Sequence, residues 1–127
     1  MRKPRPPSQA LLDKYRGRDF QPLYAASVTV RGGEAGHGRA SGVAMSDDGE
    51  LAVELRLPVE LGGAGGGTNP EQLFAASYAA CFHGALALLA ERAGIAVADA
   101  SVTVTIAFGR DPVDGLFALR ADVNIHL

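Results

Sequence analysis

The 127-residue sequence contains one cysteine, Cys81, and that scarcity excludes a disulfide framework within a single chain. A lone thiol fits a reducing compartment. It is either an inert core residue or a group placed to react. Three scattered histidines beside it lack metal-ligand spacing, so no metal site is expected, and no bound cofactor. No unbroken run of about 18 apolar residues occurs, so no membrane span is expected. Residues 1–22 are basic and proline-bearing with no apolar core after the charges, which argues against a secretory signal. The net charge of −2 gives no electrostatic reason to expect nucleic acid or an anionic membrane as partner. Together these absences describe a cytoplasmic protein of one domain's length, small enough for dimerisation to help its core.

The charge that is present is unevenly placed. Residues 1–22 hold six Lys/Arg (Arg2, Lys3, Arg5, Lys14, Arg16, Arg18) against Asp13 and Asp19, a balance of +4. The remainder holds six against twelve, a balance of −6, and the two sum to −2. Residues 1–22 therefore read as a basic arm and 23–127 as the domain. Pro4, Pro6 and Pro7 keep the arm's start extended, and Ser8 can cap a short helix reaching Tyr15. The arm is either mobile and solvated or docked on an acidic patch, that of a second subunit included.

Residues 23–30 read as a strand ending at Gly32-Gly33, and 31–42 as a glycine-rich loop. Residues 43–57 read as two strands joined at Asp47-Asp48-Gly49. Leu51, Val53, Leu55 and Leu57 alternate with polar or small residues, so one face is buried, and Pro58 closes the strand. Five glycines and Ala64 fill 62–67 and exclude regular structure there. Asn69 then caps a helix with Pro70 at its first position, Glu71 in its first turn and Gln72 as a capping-box partner. That helix runs to about Ala93, with Gly94 as its stop. It is apolar nearly all round from Leu73 to Ala90, which predicts an interior position. Strands follow over 101–108 and from Leu116 to Ile125. The class is α+β, with antiparallel strands around a buried central helix.

Residue chemistry leaves two readings of Cys81. A cysteine among alanines is ordinarily a small hydrophobe. Reactivity requires a thiolate and hence a nearby cation. Cys81 lies too deep in its helix for the dipole to serve, so an arginine is needed: Arg31, Arg39 and Arg110 are candidates, each otherwise a solvated surface residue. His83 points away from Cys81 and reads as a satisfied core or interface residue; His37 and His126 read as solvated. No Lys-Ser/Thr follows the glycine run, so it is not a phosphate cradle.

The sixteen residues Gly67–Phe82, preceded by Leu-Gly-Gly-Ala-Gly-Gly, closely resemble the signature of the organic hydroperoxide resistance proteins, in the wider family that includes osmotically inducible protein C. Gly-Arg before Ser46-Asp47-Asp48-Gly49 and Ala-Ala-Cys-Phe-His-Gly-Ala-Leu extend the resemblance, which covers roughly 23–127. It implies an intertwined homodimer and a thiol peroxidase reducing organic hydroperoxides to alcohols through a sulfenic acid on Cys81. The family's glutamate falls on Glu71 and its arginine on Arg39, in Gly38-Arg39-Ala40-Ser41-Gly42. A gap-free alternative puts Glu34 at the arginine's place, but an acid beside a thiolate would raise its pKa. Phe74, Tyr78 and Phe82 then line an apolar substrate pocket, or else are plain core.

Two features depart from a simple carry-over. Glu71 and Cys81 are ten residues apart, about 15 Å along a straight helix and roughly 80° around it. Either the helix breaks near Ser77, or each site combines two chains, or a long Arg39–Glu71 bridge spans part of the distance. The family's second cysteine, in a C-terminal Cys-Pro-Tyr segment, has no counterpart before Leu127, so the expectation is a C-terminally incomplete chain. Direct use of an external thiol, a dihydrolipoyl group or a small thiol, and a chain that no longer turns over are the other readings. A non-catalytic member binding an apolar ligand and a one-cysteine redox sensor remain as alternatives.

Overall fold

The computed structural model describes residues 3–127; Arg2, counted in the basic arm, lies outside them. Two compact units emerge: Pro22–Phe74, and the chain's beginning up to Gln21 together with Ala75–Leu127. The class is α+β with antiparallel sheets and one long helix, as the patterning predicts.

In the Pro22–Phe74 unit, β1 (Val28–Arg31), β2 (Val43–Ser46) and β3 (Ala52–Glu54) form an antiparallel sheet in that order. Val30 faces Ala44 across the first pair and Ala44 faces Val53 across the second. Ala44 and Leu55 are its buried hydrophobic residues, at 2% and 4% exposure. β1 is shorter than the predicted 23–30 because its partner runs out. Val28 pairs with Ser46, the Asp47 amide donates to the Ser27 carbonyl at 3.0 Å, and beyond that β2 has turned away. The turn is where Asp47-Asp48-Gly49 placed it. The Ser46 hydroxyl donates to Asp48 Oδ1 at 2.6 Å and Gly49 takes φ +76. The loop 31–42 is not wholly irregular, since it contains a one-turn helix α1 (Gly38–Ser41). After Glu54, Leu55 forms a parallel bridge with Thr68, and a 3-10 turn at Val59–Leu61 follows Pro58.

The long helix α2 (Pro70–Ala93) starts where Asn69 and Pro70 predict and ends where Gly94 predicts. Asn69 Oδ1 accepts the Gln72 amide at 2.9 Å. The capping box is not closed in its expected form, because the Gln72 carbonyl oxygen accepts from the Thr68 hydroxyl instead, at 2.8 Å. At the other end Gly94, at φ +73, donates to the Glu91 carbonyl and Ile95 donates to that of Ala90, the Schellman pattern.

The other unit adds a hairpin of β4 (Ser101–Arg110) and β5 (Phe117–His126), antiparallel in register from Ser101↔His126 to Arg110↔Phe117. Val102, Val104 and Ile106 are half-buried while Ser101, Thr103 and Thr105 are exposed, the expected alternation. The strands run two residues further toward the turn on β4 than the sequence suggests. Phe108 stacks on Phe117 at 5.1 Å and the Arg110 guanidinium lies over the Phe117 ring at 4.8 Å, which carries the ladder through Gly109.

One expectation changes. Among the described residues of α2 only Leu88 and Ala90 are buried, so the helix is not interior within this chain. The helix is also long and apolar enough, by length and composition, to cross a membrane, with mean hydropathy 1.7, although no single apolar run announced it. An alanine-rich core helix has the same composition. Within the arm a 3-10 helix at Gln9–Leu12, capped by Ser8, is tied by Arg92, which donates to the Gln9 carbonyl at 2.9 Å and to Asp13 Oδ1 at 3.1 Å.

Candidate functional site

The site begins with Glu71. Its place in the first turn of α2 sets the carboxylate at the positive end of the helix dipole. Thr68, just before the cap, is locked to the sheet's extension. Its amide donates to the Glu54 carbonyl at 3.0 Å, and the Arg56 amide donates to the Thr68 carbonyl at 2.9 Å. Gly67 is required in that crossing, since a Cβ there would lie 2.8 Å from the Glu54 carbonyl oxygen.

Arg39 comes from α1 and meets Glu71 in a two-pronged pair. Nη1 donates to Oε2 at 3.0 Å and Nη2 donates to Oε1. Both side chains are mostly covered, at 28% and 18% exposure. A planar fork on a carboxylate is charge-assisted and directional, unlike a lysine point charge. Removing one partner of such a pair leaves a poorly solvated charge behind. The structure thus brings together two of the three predicted catalytic residues across 32 positions of sequence.

The alternative arginines and acid lie elsewhere. Glu34 is exposed within the Gly33–Gly36 turn, Arg31 ends β1 opposite Val43, and Arg110 sits over Phe117 at the hairpin end.

Cys81 is an exposed free thiol on α2. The helix does not break at Ser77; it is one element from Pro70 to Ala93. At about 100° per residue, Glu71, Phe74, Tyr78, Cys81 and Phe82 share one face roughly 100° wide. Phe74 and Tyr78 are 48% and 43% exposed, and Phe82 is half-buried. Phe74 and Tyr78 are therefore not plain core. His83 lies off that face, with Nε2 donating to the Ala100 carbonyl at 3.0 Å, a satisfied histidine as expected. No cluster of metal-ligating side chains occurs among the described residues.

Sequence reasoning missed the residues that hold Arg39. His37, expected to be solvated, caps α1: its Nδ1 accepts the Arg39 amide at 3.2 Å. Ser41 ties the loop's two ends together. Leu55 donates its amide to the Gly42 carbonyl at 2.7 Å, and Arg56 Nη1 reaches the same oxygen at 3.4 Å. The available signal was a polar side chain two residues on either side of Arg39, too weak to read alone.

The chain thus carries an arginine–carboxylate pair at the start of its one long helix and an exposed thiol further along that helix, in an α+β class of protein. This chain belongs to the family described as OsmC-like protein, whose family model matches residues 62–127. It is 42% identical to the organic hydroperoxide resistance protein OhrB of Bacillus subtilis, over 82% of this chain and 71% of the relative. It is also 42% identical to the organic hydroperoxide resistance protein of Xanthomonas axonopodis pv. citri, over 81% and 68%. Among solved structures, an organic hydroperoxide resistance protein OsmC from Legionella pneumophila matches with a TM-score of 0.71 and 39% identity, covering 84% of this chain and 72% of that one. The Bacillus subtilis OhrB structure gives 0.67 and 40%, over 82% and 72%.

Proposed function

We propose that this protein reduces organic hydroperoxides to alcohols with Cys81 as the attacking thiolate. The observation carrying the reading is the two-pronged Arg39–Glu71 pair, found in a chain whose relatives are named for organic hydroperoxide resistance. The thiolate sulfur forms a bond to the terminal peroxide oxygen as the O–O bond breaks. The alkoxide takes a proton and leaves as the alcohol, and Cys81 is left as a sulfenic acid. A thiol then condenses with it, releasing water, and a second thiol displaces the first as a disulfide. A dihydrolipoyl group or a small thiol supplies both equivalents.

Arg39 stabilises the thiolate and the developing charge on the peroxide oxygen, and Glu71 orients the guanidinium. Phe74, Tyr78 and Phe82 take the alkyl portion and disfavour hydrogen peroxide. Ten helical residues separate Glu71 from Cys81 by about 15 Å along the axis, so each site takes its thiol and its ion pair from different copies of a homodimer. That dimer also covers the exposed apolar face of α2. The protein acts in the cytoplasm, where a reduced thiol persists.

The test is stoichiometric. Purified protein treated with one equivalent of cumene hydroperoxide should lose it and give a dimedone adduct at Cys81, and Cys81→Ser should do neither. An unreactive thiol would favour the ligand-binding alternative. A first step without turnover under added dithiol would favour the sensor. Mixing Cys81→Ser with Glu71→Ala chains should restore activity if the sites are shared between copies.

A further inference from the structure

We propose that Ser41 is a positioning residue whose hydroxyl holds the Arg39 guanidinium against Glu71; its bearing on activity rests on the peroxidase reading above. Helix α1 is four residues long, and a single turn cannot hold itself, because nucleation fixes several dihedrals for one hydrogen bond. Its place must come from outside. At its exit the Leu55 amide binds the Gly42 carbonyl at 2.7 Å. At its entry the tie from His37 Nδ1 is exposed and long, at 3.2 Å.

Ser41 supplies what is left. Its Oγ donates to the Gly32 carbonyl at 2.7 Å and accepts the Ala35 amide at 2.7 Å, closing the loop across nine and six residues. The approach is close enough that a Cβ on Gly33 would lie 2.0 Å from the Ser41 carbonyl oxygen. A serine present for solubility would leave its hydroxyl to water, whereas this one commits both donor and acceptor to backbone. Arg39 stands two residues away on the same turn, so slack in the loop becomes slack in the guanidinium.

Ser41→Ala should fold. The Gly32 carbonyl keeps the His37 amide at 3.2 Å, and the freed Ala35 amide lies at an exposed residue open to water. The experiment follows the Arg39 Nε–H signal by NMR, assigned from its loss in Arg39→Lys, and in parallel the rate of Cys81 with cumene hydroperoxide. Ser41→Ala should broaden or disorder that signal and slow the rate about tenfold, within what a misplacement on the ångström scale can cost. In an Arg39→Ala background the same substitution should change the rate no further. An Arg39 signal equally ordered in Ser41→Ala overturns the proposal, as does an undiminished rate loss in the Arg39→Ala background. A loosened signal with an unchanged rate upholds the positioning role and counts against the peroxidase reading instead.

Discussion

The two members of the ion pair reach their positions by opposite means. Glu71 rides on a helix that is capped by Asn69, started by Pro70 and stopped at Gly94, all within its own stretch of chain. Arg39 rides on a single turn held by Ser41, His37 and the distant Leu55. The carboxylate is thus fixed by local physics and the guanidinium by tertiary ties. The difference implies that changes at distant residues disturb the arginine more readily than the carboxylate.

The largest expected effect tests whether the pair acts as a unit. Arg39→Ala and Glu71→Ala should each lower the rate of Cys81 with an alkyl hydroperoxide by about a hundredfold, the scale of losing one preorganised donor. Their double variant should be little worse than either single one. Additive losses would mean the residues act independently, and the comparison would fail. Arg39→Lys should recover little, because one ammonium cannot reproduce the fork.

The next effect probes the loop alone. Gly33 and Gly36 both sit at φ +66, but only at Gly33 does a Cβ meet backbone, 2.0 Å from the Ser41 carbonyl oxygen; at Gly36 nothing lies within 4 Å. Gly33→Ala should cost about 1–3 kcal/mol beyond the shared backbone strain. Thermal unfolding of the two variants measures that difference, and equal losses would show that the loop is looser than described. On the helix side Asn69→Ala should cost about 1 kcal/mol, the usual worth of such a cap, with no effect on the order of Arg39.

The same contrast explains what the sequence disclosed. Helix α2 was legible to the residue because caps, dipole partners and stop signals are local and its ladder is self-contained. The strands of the hairpin were legible from alternation. The helix's exposure was not, since periodicity reports that a surface is apolar and not what covers it. The first strand's true start was set by where its partner turned. The Arg39 loop could be matched by resemblance, but its ties join Ser41 to Gly32 and Leu55 to Gly42, and no spacing rule predicts those contacts. The bidentate pair itself was anticipated only as an implication of the resemblance, and its geometry came from the folded chain.

The smallest effect belongs to a site between these extremes, the β2–β3 turn, where local sequence and side-chain bonds agree. The Ser46 hydroxyl, and after it the Glu50 amide, hold the Asp48 carboxyl below its ordinary value of 3.8. Both bonds favour the ionised form, so the folded chain binds its proton less readily than the unfolded chain does. The stabilisation is therefore complete above the unfolded value and fades as pH falls through the lower folded one. Because Asp48 is fully exposed, solvent screens most of the effect, and a shift in titration is easier to read than a change in melting temperature. Carboxyl NMR titration should find Asp48 protonating at lower pH than an isolated aspartate, with Ser46→Ala moving the midpoint upward. An unmoved midpoint would assign the shift to the Glu50 amide and leave Ser46 with only its bonds to Leu51.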